Sequence, residues 1–82
     1  MDLRVEERTL AIVNRLFNPN RISVGRDTLL RSELKMDSLS LLEFVMELES
    51  EFDMDINVEE TSVYSRVGSF IEHIEYRKQA TA

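Results

Sequence analysis

Residues 37–52 read DSLSLLEFVMELESEF, and this segment carries the strongest helical pattern of the 82-residue chain. Apolar residues recur at the i, i+3, i+4, i+7 spacing that marks one face of a helix: Leu41, Phe44, Val45, Leu48 and Phe52. Asp37 and Ser38 precede them, and either side chain can cap a helix N-terminus. We therefore predict a helix from Ser38 to about Glu51 with one face in a core.

The same helix has a second apolar stripe, formed by Leu39, Leu42 and Met46. One interpretation is a core face that is wide enough to bury both stripes. The other is an exposed apolar patch that binds a partner, because contiguous apolar surface on a small protein commonly marks an interaction site. The spacing alone leaves both interpretations open.

Acidic residues are concentrated between residues 37 and 60, where no basic residue occurs. They are Asp37, Glu43, Glu47, Glu49, Glu51, Asp53, Asp55, Glu59 and Glu60. Such a block gives up the ion pairs that stabilise helices, and it suits a surface that docks a basic partner. The formal net charge of −6 argues against binding nucleic acid through its phosphates.

The N-terminal part of the chain predicts one helix and a long connection. Apolar residues follow a helical stripe between residues 3 and 17, at Val5, Leu10, Ile12, Val13, Leu16 and Phe17. Asn18 and Pro19 end this helix. Residues 18–36 contain several turn formers and too few regular patterns for a helix, so we predict an ordered loop with one short helical turn.

The C-terminal part predicts a short helical turn from Glu59 to Tyr64 and a last helix from Val67 to about Tyr76, followed by a frayed tail at residues 79–82. No segment alternates over the length of a strand. We therefore predict an all-α fold, a small four-helix bundle of three longer helices and one short helix, with a long ordered loop between the first and second helices. Residues 1–82 would form a single domain.

Composition excludes most enzyme classes. The chain has no cysteine and one histidine, His73, so a cysteine nucleophile is impossible and a Ser–His pair would depend on one terminal-helix residue. Residues 53–57 open like a calcium-binding EF-hand loop, but Val58 and Tyr64 stand where that loop needs glycine and glutamate. We predict no catalytic residue and no metal site. No apolar run could span a membrane, and the N-terminus carries no signal-peptide pattern, so we predict a cytoplasmic protein with no membrane partner. We also expect a monomer.

The segment around Ser38 resembles the acyl carrier proteins. That family has an Asp-Ser-Leu motif at the start of its second helix, here residues 37–39, followed by an acidic helix of the type seen at residues 42–52. The resemblance extends over nearly the whole chain. Residues 6–8 match the start of the family's first helix, and residues 56–60 and 67–74 fall where the family has its third and fourth helices.

The resemblance implies a non-enzymatic carrier. Its cofactor would be 4′-phosphopantetheine on Ser38, transferred from coenzyme A by a phosphopantetheinyl transferase (a holo-carrier synthase), with Asp37 and Leu39 flanking the arm. The thiol of the arm would carry an acyl group as a thioester in fatty-acid, lipid or polyketide-type biosynthesis. Acyl-transferring or synthase enzymes with basic docking patches would contact Leu39, Leu42, Glu43, Met46, Glu47, Glu49, Glu59 and Glu60.

Two positions depart from the family pattern. Lys35 stands where the family usually has glycine, two residues before the aspartate, and Ser40 replaces a residue that is often acidic. These departures fit a specialised carrier at least as well as the general fatty-acid carrier. They leave the carrier class intact and weaken the preference for an acyl carrier over an aminoacyl or peptidyl carrier of the same fold. An alternative of another class is an unmodified acidic helical adaptor that binds a basic protein through its acidic face.

Overall fold

The computed structural model describes the backbone of residues 3–80 and the side chains of residues 4–79. Within this range the helices are α1 (Leu3–Leu16), α2 (Ser38–Phe52), α3 (Val58–Thr61) and α4 (Val67–Ala80). Three longer helices, one short helix and a long segment between α1 and α2 confirm the predicted all-α architecture. No helix in the described part is long and apolar enough to cross a membrane.

The core lies between α1, α2 and α4, with Phe44 of α2 at its centre. The Phe44 ring is fully buried and meets the rings of Phe17 and Phe70 edge-on, at centroid distances of 5.5 Å and 5.0 Å. Such edge-on pairs contribute about 0.5–1.5 kcal/mol beyond their burial. The residues of α2 that were predicted to face the core are buried, except for Leu41, which is half-buried. The core also contains four buried residues of α4: Val67, Phe70, Ile71 and Ile74.

α1 ends one residue earlier than predicted, and one of its apolar residues lies outside the core. Val5, Ile12 and Val13 are buried as predicted, whereas the Leu16 side chain is 47% exposed. Leu16 is the last residue of the helix. Phe17 lies one helical turn after the buried Val13, to whose carbonyl its N–H group donates at 2.9 Å, and its ring contacts that of Phe44.

The segment between α1 and α2, residues 17–37, is held by buried side chains and not by a long helix. Leu30, Leu34 and Met36 are at most 4% exposed. A single helical turn forms after Leu29, whose carbonyl accepts a hydrogen bond from the Leu34 N–H group at 3.1 Å. The predicted ordered loop with one short helical turn is therefore confirmed, and Met36 joins the core although the sequence did not indicate it.

The same segment contacts the start of α4 at Gly68. The Gly68 N–H group donates to the Arg26 carbonyl at 2.7 Å, and a Cβ atom at Gly68 would lie 2.7 Å from that same oxygen. A side chain at Gly68 would therefore push the segment away from α4. The Arg26 guanidinium adds ion pairs with Glu6 of α1 and, at 3.4 Å, with Glu75 of α4.

α3 and α4 begin or end at residues other than those predicted. α3 begins at Val58 because the Asn57 side chain caps it, accepting a hydrogen bond from the Glu59 N–H group at 2.8 Å. α4 continues past Tyr76 to Ala80. Residues 79–80 of the predicted frayed tail are thus helical, and residues 81–82 lie outside the described part of the chain.

The segment that resembles a calcium loop has structural roles at the ends of two helices. Asp53 ends α2 in the left-handed region, with φ 51°, and its N–H group donates to the Glu49 carbonyl. Asn57 caps α3. Between them, the Ile56 N–H group donates to the Glu49 carboxylate at 2.9 Å. Asp53 and Asn57 thus have structural roles at the end of α2 and the start of α3.

His73 is half-buried on α4. The Tyr64 hydroxyl and His73 Nδ1 are 3.0 Å apart, and Nε2 is buried with no hydrogen-bond partner among the described residues. Burial lowers the pKa of His73, the positive charge of Arg77 lowers this pKa further, and Glu60 opposes both effects. The folded protein therefore favours neutral histidine.

We expect the stability of the fold to decrease as the pH falls below about 6.5, the ordinary pKa of histidine. In that range the unfolded chain binds a proton that the folded chain resists, so protonation favours unfolding. Because His73 is the only histidine, thermal melts between about pH 7.5 and 5.5 report mainly on its titration. The His73→Phe variant should show a flatter dependence, and an equally steep loss in that variant would contradict the assignment.

Candidate functional site

Ser38 is the first residue of α2, and its side chain is exposed. Asp37 caps the helix, since its carboxylate accepts a hydrogen bond from the Ser40 N–H group at 2.8 Å. This hydrogen bond stabilises the ionised carboxylate and lowers the pKa of Asp37. The sequence allowed either residue to be the cap. Because Asp37 has that role, the Ser38 hydroxyl is not required for capping.

The backbone adopts an unusual conformation just before this cap. Lys35 has a φ of 60°, in the left-handed region that glycine adopts without steric penalty. Its neighbours Leu34 and Met36 are both buried, which fixes the backbone on either side. A residue with a Cβ atom costs about 1–2 kcal/mol in this conformation. Lys35 is also the position at which the family that the sequence resembles usually has glycine.

We expect Lys35→Gly to stabilise the fold by about 0.5–1 kcal/mol. The left-handed conformation would lose its steric cost, and the greater freedom of glycine in the unfolded chain would offset part of the gain. Urea unfolding of the wild type, Lys35→Gly and Lys35→Ala measures the effect. Lys35→Ala is the matched control, because it removes the charge and keeps the Cβ atom. If Lys35→Gly were no more stable than Lys35→Ala, the left-handed backbone at position 35 would carry no steric cost, and the prediction would be wrong.

The second apolar stripe of α2 lies on the surface. Leu39 is 65% exposed, Leu42 is 40% exposed and Met46 is 57% exposed. The interpretation of a core that buries both stripes is therefore wrong. Val58 at the start of α3 is also exposed and borders the same cavity as Leu42. We call Leu39, Leu42, Met46 and Val58 the apolar patch. The sequence did not indicate Val58 as part of this surface, because the predicted helical turn began one residue later, at Glu59.

The acidic block divides into two groups with different surroundings. One group holds the fold: Glu51 pairs with Arg8 at 2.7 Å, and Glu49 accepts the backbone hydrogen bond from Ile56. The position of Glu49 thus gives it a structural contact in addition to its predicted place on the partner surface. The other residues of the block make no ion pair within the described residues. Those of them that lie within α2 or α3 we call the acidic ring: Glu43, Glu47, Glu59 and Glu60.

A small cavity of about 120 Å³ opens beside Ser38, between α2 and α3. Its lining is mainly apolar and includes Leu41, Leu42, Val45, Val58, Thr61 and Phe70. Engineered apolar cavities of about 150 Å³ bind molecules such as benzene. The cavity beside Ser38 is therefore large enough for a few carbon atoms of an attached group.

Residues 7–74 match the family of phosphopantetheine attachment sites. Because this match covers most of the chain, the protein belongs to that family of carrier proteins. It is a non-catalytic carrier with a covalent 4′-phosphopantetheine arm on a serine. Such carriers are modified by phosphopantetheinyl transferases and interact with synthase enzymes. The predicted family, cofactor and non-enzymatic character are confirmed.

The residues at the start of α2 fit such an arm. Ser38 presents an exposed hydroxyl with no capping role, and the adjacent cavity offers apolar walls to a flexible organic chain. The positive end of the α2 dipole is favourable for a phosphodiester. When bound, the arm supplies the thiol that this cysteine-free chain lacks.

Proposed function

We propose that Ser38 carries the arm and that the protein is an acyl carrier in fatty-acid, lipid or polyketide-type biosynthesis. The observation that carries this proposal is the position of Ser38, exposed in the first turn of α2 at the edge of an apolar cavity. Asp37 and Leu39 flank the attachment point. Residues 1–82 would act as one carrier domain, and the cytoplasmic location stays a prediction from the sequence.

The lining of the cavity favours an acyl cargo over an aminoacyl cargo. Each methylene group that leaves water gains about 0.8 kcal/mol, and Leu41, Val45 and Phe70 provide apolar surface for it. The ammonium group of an aminoacyl thioester would lose hydration there without gaining a partner of opposite charge. The small volume of about 120 Å³ supports a short or partly inserted chain, which agrees with a specialised carrier.

Partner enzymes would dock on the apolar patch and the acidic ring. The patch provides surface that becomes desolvated in a complex, and the ring provides charge that attracts basic partners. Ring residues with no ion pair within the described part of the fold leave their charge available to a partner. This surface lies on α2 and α3, on the same helices that border the cavity beside Ser38.

Mass spectrometry tests the attachment site directly. The protein is incubated with coenzyme A and a broad-range phosphopantetheinyl transferase, and the modified residue is located by peptide mapping. We expect one arm per chain, on Ser38. An unmodified chain would favour the adaptor alternative, and an arm on another serine would refute the assignment of Ser38.

A second experiment separates acyl from aminoacyl carriage. The arm is loaded with a butyryl, hexanoyl or glycyl group from the corresponding coenzyme A thioester, and thermal melting is compared with the unacylated form. We expect the two acyl groups to raise the melting temperature, because the cavity shields their carbon atoms from water. Stabilisation by the glycyl group alone would favour the aminoacyl alternative.

We expect Glu43→Lys to slow association with the transferase, most strongly at low salt. Charges at the rim of an interface act mainly on the association rate, and salt screens them. Stopped-flow binding at two ionic strengths measures the change. Glu7→Lys is the matched control, since it makes the same charge change at an exposed position of α1. Equal slowing by both variants would mean that net charge, and not the acidic ring, steers the encounter.

A further inference from the structure

A phosphodiester on Ser38 would lie in partly unfavourable electrostatic surroundings. The adjacent Asp37 carboxylate is kept ionised by its hydrogen bond to the Ser40 N–H group, which lowers the pKa of Asp37. The dipole of α2 supplies only about half a positive charge at this end of the helix. A nearby basic side chain would therefore stabilise the attached phosphodiester.

Arg31 is the basic residue that borders the same cavity as Ser38. It belongs to the helical turn of residues 29–34, and its neighbour Leu30 is fully buried. The Leu30 N–H group donates to the Ser65 carbonyl at 2.9 Å, so the backbone that carries Arg31 is held in place. The Arg31 side chain itself is exposed, at the rim of a cavity of only about 120 Å³.

The guanidinium of Arg31 is also available for a ligand. Arg8, Arg26 and Arg66 each form an ion pair with a carboxylate, whereas Arg31 forms none within the described part of the chain. Lys35 borders a different cavity, which does not include Ser38. The planar guanidinium suits a phosphodiester, because its N–H groups can donate to two phosphate oxygens together.

We propose that the Arg31 guanidinium binds the phosphodiester of the arm and thereby holds the arm at the cavity beside Ser38. This inference rests on the proposed attachment at Ser38 and adds a positioning residue outside the Asp-Ser-Leu motif. The contact joins the arm to the segment of residues 17–37. It would form at a solvent-exposed position, so it would weaken as salt screens the two charges.

Nuclear magnetic resonance of the side-chain Nε–H groups of arginine tests this contact. Spectra of the apo protein and of the holo protein are compared at about 50 mM and about 500 mM NaCl, a range over which exposed charges become screened. We expect the Arg31 resonance to shift on loading at low salt, and the shift to fall by at least half at high salt. Arg21 is the control, because it is exposed in the same segment and borders neither cavity.

The phosphorus resonance of the arm gives a second readout. In Arg31→Gln holo protein it should lose most of its salt dependence, whereas Arg21→Gln should behave as the wild type. An unmoved Arg31 resonance in protein with a loaded Ser38 would overturn the contact and leave the carrier function intact. A chain without an arm on Ser38 would overturn both proposals.

Discussion

Replacing Ser38 by alanine is expected to abolish loading of the arm completely while the fold keeps its stability. On the proposed attachment, the Ser38 hydroxyl oxygen forms the ester, so the alanine variant has no atom at position 38 that can accept the arm. Because Asp37 caps α2, the substitution removes no capping hydrogen bond, and its cost should stay within about 0.5 kcal/mol. Mass spectrometry after incubation with coenzyme A and the transferase measures loading, and urea unfolding measures stability.

Two neighbouring substitutions serve as controls. Ser40→Ala removes a hydroxyl in the same turn and should load normally, since the capping contact uses the Ser40 backbone N–H group. Asp37→Ala should lose about 1 kcal/mol of stability, because it removes the cap. Normal loading of Ser38→Ala would disprove the site. A stability loss in Ser38→Ala as large as that in Asp37→Ala would mean that the serine shares the capping role.

Local patterns in the sequence were sufficient to predict α2 and to distinguish its two apolar stripes. The i, i+3, i+4 spacing predicted which residues of α2 enter the core, because helix geometry alone places them on one face. The same spacing also separated Leu39, Leu42 and Met46 from the core stripe. The sequence of α2 alone could not predict whether this second stripe is buried. That depends on how far α1 and α4 wrap around α2, which is a property of the whole bundle.

Features that depend on distant residues were not predictable from the sequence. Glu51 is paired by Arg8, 43 residues away, so the acidic block appeared uniformly unpaired in the sequence. Lysine itself gives no sign of the left-handed conformation at position 35, and only the glycine that the resembled family usually has there pointed to it. The cavity beside Ser38 is bordered by α2, α3, α4 and the segment before α2, and periodicity within one helix cannot reveal it.

The end of α1 is a further place where the sequence could not predict which apolar side chain is buried. Leu16 and Phe17 are both apolar and both fit the helical stripe, so sequence spacing gave no reason to separate them. The helix ends between them, and only Phe17 reaches the ring of Phe44. Which of these two residues contacts the core depends on where α2 packs against the end of α1, and the spacing within α1 does not contain that information.

Leu48→Ala and Met46→Ala should have opposite effects, although both residues lie on α2 and both changes shorten an apolar side chain. Leu48 is fully buried, and its loss leaves a cavity in the core that should cost about 2–5 kcal/mol of stability. For a domain of this size that loss can unfold much of the protein. Met46 is 57% exposed, so its substitution should change stability by less than about 0.5 kcal/mol.

For binding to the transferase, we expect Met46→Ala to have the larger effect and folded Leu48→Ala the smaller one. Met46 belongs to the apolar patch, and contacts that become desolvated at the centre of an interface act mainly on the dissociation rate. Met46→Ala should therefore shorten the lifetime of the complex with the transferase and leave the salt dependence of association nearly unchanged. Urea unfolding and stopped-flow binding of the two variants measure both effects, with Leu48→Ala studied at a temperature where it remains folded. If Met46→Ala destabilises the fold as much as Leu48→Ala and spares binding, the acidic ring must provide recognition without the patch.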